Sequence, residues 1–398
     1  MAPYAPARYI DLHALHPVPA SLLNRGEDDE PKTMLVGGTV RAMVSSQAWK
    51  RPIRLSIEEE LGEHAARTRR LPPLVADALR AAGWPDDLAA FAGAQIARSA
   101  NREGLKTEAN QGGITSALLY LPRDVLAELV DLCQEHRTQM EEARAEAAAA
   151  AAEPKSGGKK KPDMPAVLPT RTVAALIRRR TATINLFGRM LAEIPDGGVD
   201  GAVQMAHAFT VHQSDPQPDY FTAVEDWSHP NDSGSAHLQT GFFTSGILYR
   251  YATVNLTELI NNLGGDEKQA LHLLGLFTEA FIEVMPQAKK TSTAPHTPPH
   301  LIAYAVRDRR PVSYAAAFEQ PVKHAPGGGH TLPAVRALSE HAGALNRLLG
   351  ERRRVAHGYA TVQHTPIDHL GTAHASFEEL TSTLTEAAAH PAPSRATA

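Results

Sequence analysis

Just after the pair Gly37-Gly38, fourteen residues carry Arg41, Ser45, Gln47, Lys50, Arg51 and Arg54. Long cations with short polar donors are what a protein needs to hold a phosphodiester backbone: the cations supply charge and the short donors set register. On a helix, Lys50 and Arg54 are one turn apart, as are Arg51 and Arg54. Ser45 and Gln47 would then sit at the helix N-terminus, where N–H groups and the positive end of the dipole favour a phosphate. The same pattern also describes an ordinary solvated helix face. A second chemistry is apolar. Phe221, between loops rich in Asp, Pro and Gly, is able to wedge between bases if a hairpin exposes it, or to fill a core if buried. Met190, after Gly188-Arg189, has the same two readings.

Catalytic signals are poor. The chain has no G-x-S-x-G, P-loop or H-E-x-x-H segment. His207 and His212, five apart in a strand pattern, point to opposite faces. His296 and His300 have ligand-like spacing, but Pro295, Pro298 and Pro299 deny them a helix. Asp200 beside Gly201 suits a turn. A single cysteine, Cys133, excludes an internal disulfide and any zinc site built on two cysteines. No metal or other cofactor is expected.

These residues need elements to hold them. Tyr9 to Leu15 alternates as a half-buried strand that Pro17 and Pro19 should end, and a polar acidic loop follows from Asn24 to Lys32. Thr39 to Val44 reads as a short strand. Ser45-Ser46 then caps a helix, in which Pro52 is tolerated only near the first turn. Residues 57–135 read as helices, most clearly from Arg123 to Arg137. Gln139 to Glu153 is nearly pure alanine and glutamate and runs into Pro154-Lys155-Ser156-Gly157-Gly158 and three lysines; we read 139–165 as a low-complexity linker. Ala206 to His212, Tyr220 to Glu225, Thr244 to Leu256 and Leu301 to Val306 read as strands. Asp266 opens a helix through Met285, and Pro333 to Arg353 is another, with Pro at its first turn. The order suggests an α+β chain with a split βαβ, ferredoxin-like core, a fold that hosts RNA-binding sheets and many enzymes alike.

The 398 residues carry a net charge of −4, with 43% hydrophobic residues. That is less basic than a general nucleic-acid coat protein, so local clusters matter more than the sum. No apolar run suits a signal peptide or a membrane span, and a cytoplasmic location with no membrane partner is expected.

Several segments together resemble a known family. They are Asn24-Arg25, Pro31-Lys32, Gly37-Gly38 and Val44-Ser45-Ser46-Gln47-Ala48-Trp49-Lys50-Arg51, preceded by Tyr9 to Leu15. Further on come Leu186-Phe187-Gly188-Arg189-Met190, Asp200-Gly201-Ala202 and Ala206-His207-Ala208. Tyr220-Phe221-Thr222-Ala223-Val224-Glu225-Asp226, Gly234-Ser235-Ala236-His237-Leu238 and Ser245-Gly246 through Asn255-Leu256 complete the run. Their order and spacing resemble the Cas-seven family in its type I-E form, the repeated backbone of a CRISPR surveillance complex (Cascade). The likeness spans about residues 9 to 325 and is weak across 61 to about 180 and beyond 325.

The resemblance implies an RRM-like palm with a helical finger insertion and a β-hairpin thumb. It divides the chain into palm (1–60, 200–213 and 245–398, ending in C-terminal helices and a disordered tail), fingers (61–199) and thumb (214–244). It implies a non-catalytic protein, several copies of which sheath one CRISPR guide RNA, kink it at regular intervals and leave the remaining bases free to pair with target DNA. RNA-binding roles carry over to Lys32, Ser45, Gln47, Lys50 and Arg51. Met190, beside Arg189, and Phe221 fall where the family brackets the kinked base, with Thr222 following on the thumb. Implied partners are the guide RNA, target DNA through guide pairing and other copies of the chain. Further partners are the large, small, RNA-end-capping and RNA-processing subunits, with a nuclease-helicase recruited to the complex. Pro52, Thr39 where a basic residue is expected, the Ala/Lys filler and the pattern-free Lys289-Lys290 depart from the family. Two other classes stay open. One is a metal-dependent RNA-cleaving backbone subunit of type III kind using Asp28, Asp29 or Asp200. The other is a free-standing single-stranded RNA-binding protein.

Overall fold

The computed structural model describes residues 8–152, 165–224, 235–350 and 354–389. The chain divides into two compact units, residues 1–57 with 202–398, and residues 58–201. In chain order the first unit opens with strands β1 (Tyr9–Ser21), β2 (Thr33–Val36) and β3 (Thr39–Val44) and helix α1 (Ser46–Leu61), whose last turn passes into the second unit. The second unit holds β4 (Ala65–Thr68), α2 (Leu71–Ala81), α3 (Asp86–Arg98), β5 (Thr107–Glu108), β6 (Ile114–Thr115) and β7 (Leu119–Pro122). It continues with α4 (Val125–Glu135), α5 (Arg137–Ala152), α6 (Thr170–Arg178) and α7 (Ala182–Phe187). The chain then returns through β8 (Val203–Met205), β9 (Ala208–Thr210), β10 (Gln217–Val224) and β11 (Ser235–Asn255) to α8 (Leu256–Asn262), α9 (Glu267–Glu283) and α10 (Lys290–Thr293). It ends with β12 (Leu301–Arg307), α11 (Thr331–Leu349), β13 (Arg354–Thr361), β14 (Thr372–His374) and α12 (Phe377–Ala389).

The first unit is built on one sheet of order β14-β13-β12-β1-β11-β9-β3-β2. Its centre is β1, antiparallel to both β12 and β11. Seven successive residues of β1, Ile10 to His16, are buried, as a strand with both faces covered requires. Ile10, Leu12, Ala14 and His16 point to one face, and Asp11, His13 and Leu15 to the other. Helix α11 covers the second face, where Leu338 and Ala342 pack with Leu15, Tyr249 and Ala303. Strand β11 has β1 on one side and three partners in succession on the other: β10 near its start, β9 at Leu248 and Tyr249, β8 at Ala252 to Val254. The fold class is the one expected, mixed α and β around a large sheet with insertions.

In the second unit, Leu71, Val75, Leu79, Leu88, Ile96, Leu129 and Ile177 join one apolar cluster from α2, α3, α4 and α6. The antiparallel pair β4–β7 is a separate small sheet.

Several expectations are corrected. Pro17 and Pro19 do not end β1. Beyond Leu15 the strand has lost its β12 partner and pairs with β11 alone, so one edge needs no N–H. Residues 139–152 are helix rather than linker; alanine and glutamate are strong helix formers, and fully buried Met140 anchors the helix. Residues 153–164 of that expected linker lie outside the described residues, as do Glu225, Asp226 and the tail from 390. Pro52 does not shorten α1, which continues to Leu61. Residues 57–135 are not all helical, since β4, β5, β6 and β7 lie among them, and β2, β13, β14 and α12 are further elements that the sequence patterns did not single out. Among the described residues, no helix is long and apolar enough to cross a membrane.

Candidate nucleic-acid interface

Helix α1 separates the basic segment into two faces. Trp49, Ile53 and Ile57 are buried; Gln47 and Arg51 are exposed, and Lys50 and Arg54 half-buried. What sets this rotation is an arginine that the sequence reading did not single out. Arg250 on β11 is fully buried, with its guanidinium 3.8 Å from the Trp49 ring centre and 4.4 Å from that of Phe281. It donates to the Phe281 carbonyl and lies 2.9 Å from the His16 Nδ1. Burial lowers Arg250 to about 9, and burial beside that cation lowers His16 to about 3. Both aromatic faces hold a cation that has no carboxylate partner among the described residues.

The N-terminus of α1 is tied to the preceding loop. Asn24 Oδ1 accepts from Ser45 N at 2.8 Å, and His207 Nδ1 accepts from Ser46 N at 2.9 Å. Ser45 Oγ, the cap, accepts from Ala48 N at 3.3 Å. Two donors expected to be open to a phosphate are therefore already occupied, and Ser45 acts first as a cap. Lys32 is brought beside this corner by its backbone: its N–H donates to Asn24 O at 3.0 Å, and its carbonyl accepts from Met43 N at 2.8 Å. Lys32, Ser45, Gln47, Lys50 and Arg51 thus sit on one connected corner of the first unit. Asn24 and His207 were quoted in the motifs, but nothing in the pattern marked them as the residues that brace this corner.

Arg41 is corrected. It is fully buried, donating to Thr210 O at 3.0 Å, Phe318 O at 3.2 Å and Glu319 O at 3.4 Å. It ties a loop to β3 and has no surface from which to reach a phosphate. Arg189, in the second unit, is corrected for the same reason. It is 5% exposed and donates to the carbonyls of Gly197, Tyr120, Ile177, Arg179 and Arg178 at 2.8–3.2 Å. Burial lowers it to about 10. Its function is to stiffen the loop after α7, which displays Met190 at 87% exposure on the rim of an open depression of about 740 Å³. Gly188 makes the turn, with φ of 82° and no room for a Cβ, which would lie 2.7 Å from Gly201 N.

In the first unit, β10 and the start of β11 form a hairpin from Gln217↔Phe243 to Val224↔Ser235, with an irregularity after Ala223. Among the described residues β10 has no other partner. The turn, 225–234, lies outside the described residues. Tyr220 and Phe221 are exposed, at 67% and 41%, on opposite faces of the strand, and Thr222 is exposed beside them. At 41%, Phe221 is not a core residue. Lys289, without a pattern in sequence, has its ammonium 5.9 Å from the Phe243 ring centre. Asp28 and Asp29 lie in the first unit and Asp200 in the second; Asp29 pairs with Arg25 at 2.8 Å.

No curated protein matches the chain. Among solved structures, a chain of one described as a CRISPR RNA-guided surveillance complex, pre-nicking, is 39% identical. The match covers 96% of this chain and 100% of that one, with a TM-score of 0.85. A chain of another, described as a CRISPR RNA-guided surveillance complex, is 34% identical over 95% of this chain and 99% of that one, with a TM-score of 0.74. The model of the CT1975-like protein family matches residues 10–387, and over that span the chain belongs to this family.

Proposed function

We propose that the chain is the guide-RNA-binding backbone subunit of a CRISPR surveillance complex of type I-E, the subunit called CasC. The observation that carries the reading is the 39% identity and full-length match to a chain of an RNA-guided surveillance complex. The exposed corner of α1 supports it physically. Lys32, Gln47, Lys50 and Arg51 hold guide phosphates, with Ser45 fixing the helix start and Arg54 one turn on. Residues 1–60, 200–213 and 245–398 serve as palm, 61–199 as fingers and 214–244 as thumb. Phe221 and Thr222 on the thumb, and Met190 on its stiffened loop, press on the base that is turned out of the stack, which costs unstacking energy and fixes the period of the kinks. Sequence is read by guide pairing with target DNA rather than by this protein. The activity is structural, not catalytic, in the cytoplasm. The partners are further copies, the large, small, RNA-end-capping and RNA-processing subunits, and a nuclease-helicase that acts on the complex.

Native purification of the tagged chain with its neighbours, followed by sequencing of the bound nucleic acid, tests this. Uniform RNAs with one spacer between repeat-derived ends are expected. Heterogeneous cellular RNA would point to a free-standing RNA-binding protein. Cutting of complementary RNA at fixed intervals with Mg²⁺ would point to the cleaving alternative.

A further inference from the structure

At the end of β12 the chain reads Arg307-Asp308-Arg309-Arg310. Arg307, Arg309 and Arg310 line a cavity of about 330 Å³ together with Val312, Leu349 and Gly350. Arg307 forms the floor: it is 4% exposed and donates through Nε to Asp11 Oδ2 at 2.8 Å. That carboxylate is already engaged by two further donors, Val312 N at 2.9 Å and Tyr251 Oη at 2.9 Å. Arg309 and Arg310 are exposed, and among the described residues neither has a hydrogen-bond or ion-pair partner. Across the strand pair, Arg307 faces Arg354 in register. A chain of net charge −4 therefore collects arginines where its interior acid is already used.

The location separates this cluster from the guide-binding corner. Arg307 pairs in register with Tyr9 on the β1 face that carries Asp11 and α11, whereas Trp49 of α1 packs by His16 and Arg250 on the opposite face. The hairpin leaves the sheet at Ser21↔Thr244, twelve residues along β1 from Tyr9 and so about 40 Å away at the rise of a strand.

We propose that Arg309 and Arg310, over the cavity they line, form a second phosphodiester-binding site that takes the backbone of a nucleic acid other than the guide. Arginine suits phosphate because its planar fork donates two parallel hydrogen bonds and its charge is weakly hydrated. The cavity admits a phosphate with its sugar, and Val312 and Leu349 give the sugar an apolar wall. That this nucleic acid is not the guide rests on the function proposed for α1, while the duplex binding itself is read independently of it.

The test uses the full chain purified with its neighbours and the double variant Arg309→Ala, Arg310→Ala. Binding of a short duplex DNA of unrelated sequence is measured over a range of salt, alongside the RNA content and melting temperature of the preparation. Duplex affinity is expected to fall about tenfold and the salt slope to shrink by about two, one for each phosphate that the arginines no longer neutralise, with RNA content and melting unchanged. Unchanged duplex affinity overturns the proposal, including the case where only assembly with a protein neighbour suffers. Loss of the bound RNA also overturns it, because the arginines would then belong to the guide site. A wild-type preparation without guide RNA refutes the function proposed above but leaves this test readable.

Discussion

The outward face of α1 and the interior of the sheet beneath it hold equally basic residues with opposite fates. Lys50 and Arg51 present charge at the surface, while Arg41 on β3 and Arg250 on β11 are fully buried. Arg41 donates to the carbonyl of Thr210 at the end of β9 and to those of Phe318 and Glu319, and Arg250 has a carbonyl, an imidazole and two aromatic faces, while the Nε of each is buried with no hydrogen-bond partner among the described residues. A cation count therefore says how much charge is present, not where it is placed. Buried guanidinium groups position the surface ones, because Arg250 holds Trp49, and Trp49 sets which side of α1 faces outward.

The comparison predicts different losses from the two regions. Arg250→Ala, which leaves a cavity between two rings and strips His16 and the Phe281 carbonyl of a donor, is expected to cost about 4 kcal/mol of stability. Arg250→Met, which keeps the volume, should cost much less. Equal losses in urea unfolding would show that packing volume is not what the arginine provides. Lys50→Ala with Arg51→Ala is expected to change stability by under about 1 kcal/mol yet weaken guide binding about a hundredfold and reduce its salt slope by about two. A normal complement of RNA in that variant would remove α1 from the interface.

The buried side also responds to acid. His16 has a folded value of about 3 against an ordinary 6.5, so the unfolded chain takes up the proton first. Stability is full above the ordinary value and declines as pH falls from about 6.5 towards 3. Between about pH 7 and pH 5 this one group accounts for about 2 kcal/mol, and His16→Gln should flatten the decline in urea midpoint by that amount. His13, also lowered by burial, contributes in the same direction. The smallest effect is expected on the hairpin. Phe221→Ala should leave stability unchanged and lower RNA affinity by about 1 kcal/mol, the lower end for one stacked base, read as reduced fluorescence change of a base analogue at the kinked position.

Local patterns determined much of this protein. The existence of strand β1, the Asp266 cap with its apolar stripe, the short β3 strand and the basic helix after it are written in near neighbours, and the dispersed motifs pointed to the family; the half-buried reading of β1 was wrong, since both of its faces are covered. Patterns of that range failed where a distant chain segment decides. Pro17 and Pro19 lie inside a strand because β12 has already turned away, and the alanine-rich stretch 139–152 is helical and anchored because Met140 finds a core. The candidate site divides the same way. The placement of Gln47, Lys50 and Arg51 away from the buried face of α1 was legible because a helix face needs only its own sequence and one buried tryptophan. The burial of Arg41 and Arg189 was not, since the carbonyl groups that accept from them come from Thr210, Phe318, Glu319, Tyr120, Ile177 and others remote in sequence. Residue type determined where charge is carried along the chain, and only the tertiary structure decided which charges face solvent, because burial and hydrogen-bond satisfaction are properties of what the rest of the chain brings near.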